Sequence, residues 1–135
     1  MTEQAIHKVL TSQNLSIGYP SKKGNKEIAN NIEVELHKGE LVCLVGRNGI
    51  GKSTLLRTLS KMQPRLGGDI YLENKNIDEF SRIDLAKIIS LVLTERIPSS
   101  NLTVYELIAL GRQPYTNFFT SLSSHGNATA SPGQM

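Results

Sequence analysis

"GRNGIGKST", residues 46–54, sets three glycines into six positions and follows them with a lysine and two hydroxyls. Before it comes the run "LVCLV" (41–45), apolar on every residue. Such a run suits a strand in the middle of a sheet covered on two sides. After it, "KSTLLRTLSKM" (52–62) places Leu55, Leu56 and Leu59 on one helical face, with Pro64 and Gly67 as stop signals. The glycines therefore sit between an expected buried strand and an expected amphipathic helix. Glycine tolerates positive φ and lets the backbone approach a ligand with no Cβ in the way. Gly46, Gly49 and Gly51 are expected to be used so.

The spacing is that of G-x-x-x-x-G-K-[ST], at Gly46, Gly51, Lys52 and Ser53. A plain glycine-rich turn explains the bends but not a Lys-Ser pair at this offset. In the phosphate-cradling reading, N–H groups of the loop that runs through Arg47, Asn48 and Ile50 form a nest for phosphate oxygens. The helix starting near Lys52 turns its partial positive end to the same anions. Lys52 is expected to reach the β- and γ-phosphates as a point charge. The Ser53 hydroxyl is expected on Mg²⁺, which favours oxygen ligands together with phosphates. Thr54 is expected to bond on the α-phosphate side. ATP and Mg²⁺ are the implied cofactors, Ser53 being the protein's metal ligand.

The 135 residues suit one domain, and the composition, 39% apolar and 20% charged, is that of an ordinary globular chain. No apolar run approaches the roughly 18 residues that span a bilayer. "MTEQAIHKVL" lacks a signal peptide's apolar core, so the expected compartment is the cytoplasm, where the sequons at Asn101 and Asn127 carry no meaning. Cys43 stands alone and is expected to be a small buried core residue. The net charge of +3 is mild. Lys22, Lys23 and Lys26 have no interleaved aromatics, so they read as a solvated loop and no nucleic-acid partner is expected.

Along the chain, "KVLTSQNLSIGYP" (8–20) reads as an edge strand and "SKKGNKE" as a polar loop. "IANNIEVELHKGE" (28–40) alternates at Ile32, Val34 and Leu36 like a half-buried strand. "GDIYLENKNI" (68–77) reads as a short hairpin around Asn74. "RIDLAKII" is helix-like and leads into the apolar strand "ISLVL" (89–93). "LTVYELIALGR" (102–112) is an expected helix capped by Thr103, with Glu106 completing a capping box. From 113 to 135 there is no Asp, Glu, Lys or Arg, which predicts a loose tail.

From 44 to 77 the sequence resembles the start of an ABC-transporter ATPase, in which the P-loop helix runs into a G-x-I-x-L hairpin. The resemblance covers roughly residues 8–122. It implies an α/β fold: a P-loop NTPase sheet covered by helices with an antiparallel β edge, here an incomplete ABC ATPase domain over 1–122 followed by a tail at 123–135. Tyr19 falls where this family places the aromatic of its A-loop and would stack on adenine, a task for the ring rather than its hydroxyl. "NLTVYELIALGRQPYTNFF" (101–119) is similar to the ATPase subunits of iron-siderophore, haem and cobalamin importers. There it opens the helical subdomain beside the groove for the permease's coupling helix, which implies a permease partner around Leu102–Tyr115. Arg112, Pro114 and Tyr115 look exposed, while Leu107, Ile108 and Leu110 look like core. The resemblance also implies a second ATPase subunit closing head to tail, and a location at the inner face of the membrane.

The sequence departs from that family in two respects. Thr94 stands at the Q-loop position, where Gln is expected. The signature Leu-Ser-Gly-Gly-Gln, the Walker B Asp with its catalytic Glu, and the switch His do not follow within these residues. "SPGQ" (131–134) lies too close behind Thr94 to be the signature, and "IISLVLTE", ending in Glu95, lacks the Asp of a Walker B strand. The expectation is a truncated importer ATPase subunit that binds ATP without significant hydrolysis. Two alternatives stay open: an inert nucleotide-binding or permease-docking fragment, and another small P-loop enzyme such as a kinase using Arg57 and Arg65.

Overall fold

A computed structural model describes residues 7–92 and 103–115. These fall into two units, one reaching to Phe80 and one beginning at Ser81.

The first unit is built on an antiparallel sheet. Its longest strand, β1 (Lys8–Tyr19), pairs with β2 (Lys26–Ile32), β3 (Glu35–His37) and β4 (Gly67–Leu72), and β4 pairs with β5 (Lys75–Asn76). The β1 strand is thus the centre of the sheet and not the expected edge. The reason is a register device. Leu10 and Ser12 are buried on one face, and Leu15 and Ile17 lie three and five residues beyond Ser12. A strict two-residue alternation would turn Leu15 outward. A register shift opposite β4 between Gln13 and Ser16, with Asn14 at φ 47°, resets the alternation. Both apolar pairs then face the core.

On the other edge, the stretch expected as one strand over 28–40 is broken into β2 and β3. Ser12 mends the break: its buried hydroxyl donates to the Ile32 carbonyl at 3.0 Å and accepts from the Val34 N–H at 2.9 Å. Ser12 N–H donates to the Val34 carbonyl at 2.9 Å. Buried backbone groups need such partners, since each left unmade costs about 1–3 kcal/mol.

The hairpin expected around Asn74 is present. Glu73 and Asn74, both at positive φ, link β4 to β5, the two-residue geometry that matches strand twist. Ile70 and Leu72 on β4 point inward with Leu10, Leu15, Ile17, Leu59 and Ile77. Burying each such side chain contributes about 1.5–3 kcal/mol. Helix α1 (Lys52–Leu59) stops before the expected Pro64 signal. Lys61, at φ 58°, donates its N–H to the Thr58 carbonyl, and Met62 donates to Arg57, closing a Schellman motif on a lysine where glycine is usual.

The apolar run "LVCLV" is not the buried central strand that its composition predicts. Residues 41–45 form no strand, Leu41 is 93% and Val45 88% exposed, and Cys43 is exposed rather than buried. A strand apolar on both faces needs partners on both edges, and no described strand lies along it. The same holds for "ISLVL", whose residues 89–92 are not a strand and whose last residue lies outside the described ones.

The second unit holds α2 (Arg82–Ile88), capped by the Ser81 hydroxyl accepting from the Asp84 N–H, and α3 (Val104–Leu110). A short 3₁₀ turn at Gln113–Tyr115 follows, and the Tyr115 hydroxyl donates to the Lys87 carbonyl at 3.2 Å. Residues of the expected tail from 116 onward lie outside the described ones.

Candidate functional site

The glycine loop delivers α1 with its N-terminus uncapped by any side chain. Gly51 is the N-cap residue at φ 112°, a left-handed conformation that L side chains rarely adopt. A Cβ at Gly51 would also come within 2.7 Å of Ile28 Cγ2. Gly49 takes φ 81° in the turn before it. Gly46 does not follow the expectation, since it is absent from the glycines at positive φ, and a Cβ there would meet Ile50 Cγ2 at 3.3 Å. The positive-φ work is thus done by Gly49 and Gly51.

Lys52, the first residue of α1, folds back over the loop. Its ammonium donates to the Gly46 carbonyl at 2.6 Å and the Arg47 carbonyl at 2.8 Å. The Ile50 N–H closes a turn on the Arg47 carbonyl at 3.3 Å. Arg47, Asn48 and Ile50 are exposed along this turn, and Ser53 is exposed in the first turn of the helix. A helix N-terminus without a capping side chain, bordered by an ammonium and a hydroxyl, can receive an anion rich in oxygen. Such a donor set fits a nucleotide's phosphates, with Ser53 able to offer one oxygen to a divalent cation. Among the described residues no cluster of three or more His, Cys, Asp or Glu could hold a metal by itself.

The buried face of α1 differs from the expected leucine face. It carries Thr54, Thr58 and Leu59, while Leu55 is half-buried and Leu56 exposed. Two threonines replace apolar residues there because both hydroxyls are bonded. The Thr58 hydroxyl donates to the Thr54 carbonyl at 2.8 Å, and Thr54 Oγ1 meets the Tyr19 hydroxyl at 3.2 Å. Tyr19, 45% exposed at the end of β1, thereby stands beside the first turn of α1. The Gly18 carbonyl accepts from Gln63 Nε2 at 2.6 Å. Neither Thr54 nor Gln63 announced these contacts in the sequence, since each partner lies on a distant strand.

Beyond α1, Arg65 ties the connection to the hairpin. Its guanidinium donates to Asp78 at 2.6 Å and to the Gly68 carbonyl at 2.6 Å, and Lys61 reaches the Ile77 carbonyl at 3.0 Å. The Arg65 hydrogen bond holds the Asp78 carboxyl below the usual carboxylate range. These contacts show Arg65 at work within the fold rather than as part of a kinase-like lid.

In the second unit, the capping box at α3 is present as expected. Thr103 Oγ1 accepts from the Glu106 N–H, and the Glu106 carboxylate accepts from the Thr103 N–H at 2.7 Å. Donation from that N–H and from the Thr103 hydroxyl holds the Glu106 carboxyl below its ordinary value. The helix buries none of its residues: Leu107 and Leu110, expected as core, are exposed and Ile108 is half-buried. Tyr115 is exposed, whereas Arg112 and Pro114 are half-buried, and the Arg112 guanidinium lies 5.3 Å from the Tyr115 ring centre. Thr94, Glu95, Leu102 and "SPGQ" lie outside the described residues. No described helix is long and apolar enough to cross a membrane.

A mixed α/β fold with an antiparallel sheet feeding a glycine-loop helix has its structural neighbours among ABC ATPase domains. A family model described as ABC transporter matches residues 29–132, and the chain belongs to that family. An uncharacterised ABC transporter ATP-binding protein of Methanocaldococcus jannaschii is 41% identical over 115 residues, 85% of this chain and 38% of the relative. The ferric enterobactin transport ATP-binding protein of Escherichia coli is 35% identical over 120 residues, 89% of this chain and 42% of the relative. A solved structure of a transporter described as of metal-chelate ABC type, in an inward-facing conformation, superposes with a TM-score of 0.64 at 25% identity, over 90% of this chain and 42% of that one. The chain spans about two fifths of the length of these curated relatives.

Proposed function

We propose that this chain carries the ATP-binding part of an ABC importer subunit for iron-siderophores or related metal chelates. One observation carries the nucleotide reading. Gly51 at φ 112° starts α1 with no capping side chain, and Lys52 and Ser53 border the end so left open. Backbone N–H groups there and the helix dipole favour phosphate. In this reading Gly46, Arg47, Asn48, Gly49, Ile50 and Gly51 form the cradle. Lys52 exchanges its two loop carbonyls for phosphate oxygens, Thr54 serves the α-phosphate side through its backbone N–H, its buried hydroxyl being held by Tyr19, and Tyr19 stacks on adenine. Ser53 offers an oxygen to Mg²⁺, which when bound neutralises phosphate charge. The chelate class is supported by the relatives, one of which is named for ferric enterobactin transport.

Isothermal titration of wild type and Lys52→Ala with MgATP tests the reading. Lys52 makes charged hydrogen bonds, each contributing about 1.5–3 kcal/mol, so its loss is expected to weaken ATP roughly tenfold or more. The melting temperature should change little, because Lys52 packs no core and its acceptors, the Gly46 and Arg47 carbonyls, lie in an exposed loop where water can replace the ammonium. Unchanged affinity would defeat the phosphate role.

A second reading concerns α3. Val104, Tyr105, Leu107, Leu110 and Tyr115 are exposed, and this apolar surface supports the region around Leu102–Tyr115 as the docking site of an integral-membrane permease. That partner, with a second ATPase subunit, would hold the protein at the inner face of the membrane. Residues 1–122 would then form part of one ATPase domain, with 123–135 as its tail.

A further inference from the structure

Tyr19 ends β1 and is fixed from three sides. Its backbone pairs with Lys26 of β2, and its hydroxyl meets Thr54 at the start of α1. The carbonyl immediately before it, on Gly18, accepts the side-chain amide of Gln63 at 2.6 Å. Gln63 is itself anchored at both ends. Its N–H donates to the Arg57 carbonyl in the last turn of α1 at 3.1 Å, and the nearby Leu66 N–H donates to the Ser16 carbonyl of β1 at 2.8 Å. Gln63 is therefore a strut running from the end of α1 to the end of β1, while Thr54 links the start of the same helix to the same aromatic residue.

A ring stacks on a base only while its plane is held, and each group that immobilises it beforehand lowers the ordering cost of binding. Resting on the nucleotide reading above, we infer that Gln63 is a positioning residue for base recognition, holding the peptide that carries Tyr19 so that a purine can stack on the ring. Gln63 adjoins neither the glycine loop nor Lys52 in sequence, and its amide is spent on the Gly18 carbonyl. Its effect therefore falls on the base and not on the phosphates.

Titrations of the whole chain with MgATP and with magnesium tripolyphosphate, which has phosphates but no base, separate the two. Gln63→Met keeps the length of the side chain and drops the donor. One neutral hydrogen bond contributes about 0.5–1.5 kcal/mol, so Gln63→Met is expected to weaken ATP roughly threefold to tenfold. Tripolyphosphate should shift less than about twofold on the same scale. In a Tyr19→Ala background, Gln63→Met should cost ATP nothing further, because the ring it positions is gone. Unchanged ATP affinity, equal losses for both ligands, or a full additional loss in the double variant would each overturn the positioning role. If Gln63→Met melts below the titration temperature, Gln63→Lys, which returns a donor towards the Gly18 carbonyl, is titrated instead and is expected to keep the wild-type preference for ATP over tripolyphosphate. A folded Gln63→Lys that loses the preference for ATP over tripolyphosphate overturns the role too. A wild-type chain that binds neither ligand defeats the nucleotide reading itself, and this inference with it.

Discussion

The hydroxyl of Tyr19 lies 3.2 Å from Oγ1 of Thr54, a residue 35 positions further along the chain. One end of this contact is an aromatic proposed to stack on adenine, and the other is a buried threonine in the first turn of the glycine-loop helix. The residue proposed for the base is thereby tied by one hydrogen bond to the helix whose N-terminus is proposed for the phosphates.

That bond changes what is expected of Tyr19→Phe. On stacking alone, phenylalanine would be nearly neutral. With the hydroxyl bonded, its removal also unfastens the ring before binding, and ordering it again costs the complex about 1 kcal/mol. Tyr19→Phe should therefore weaken ATP roughly threefold to fivefold, and Tyr19→Ala more than tenfold. Calorimetric titration checks both. Equal losses in the two variants would mean that the hydroxyl, not the ring, carries the contribution.

At Gly51 the backbone and the packing speak together. A valine there must adopt φ 112° and place its Cβ against Ile28 Cγ2. A β-branched residue in that conformation costs on the order of 1–3 kcal/mol, before any repacking around Ile28. Gly51→Val should lower the urea midpoint accordingly, and Gly49→Ala less, because a Cβ at Gly49 meets nothing within 4 Å. If the two variants melted alike, the close approach of Ile28 would be irrelevant.

Asp78 gives the fold an acid dependence. Arg65 donates to its carboxylate, which holds the folded-state pKa below the ordinary value. The unfolded chain then binds the proton more readily, so stability rises with pH through the carboxylate range. The contribution is fully present above the unfolded pKa, about 3.9, and disappears as pH falls through the folded value. Urea midpoints of wild type and Asp78→Asn should differ at pH 7 and draw together as pH falls below the ordinary carboxylate range. A gap that stays constant with pH would assign the effect of Asp78 to packing.

Local signals were legible in the sequence, and relationships across the chain were not. Lys-Ser behind spaced glycines, Asn74 between two apolar runs, and Thr103 with Glu106 each encode a structure within a few residues, and each is found. "LVCLV" states what surroundings the segment would need, two flanking strands and two covering layers, but not whether they are supplied. Among the described residues they are not, and Leu41 and Val45 stay exposed. The central place of β1 was hidden because its alternation is broken at Asn14, and a pattern broken by a bulge looks weaker than the strand it belongs to. The Tyr19–Thr54 and Gln63–Gly18 contacts had no local signature at all.

The last expectation concerns turnover. Phosphoryl transfer to water needs a group that positions the water, together with electrostatic stabilisation of the charge that develops on the γ-phosphate. The proposed site supplies the second in part, through Lys52 and the α1 N-terminus. No residue is assigned to the first: within these 135 residues no apolar run ends in an Asp-Glu pair, and no Leu-Ser-Gly-Gly-Gln occurs. Glu95 is the nearest candidate base in sequence, and Thr94 before it stands where the resemblance calls for glutamine. A polypeptide of this sequence should therefore bind MgATP and release phosphate no faster than its Lys52→Ala variant, measured side by side on purified material. Release above that blank, abolished by Glu95→Gln, would show that Glu95 positions the water and that the site is catalytically complete.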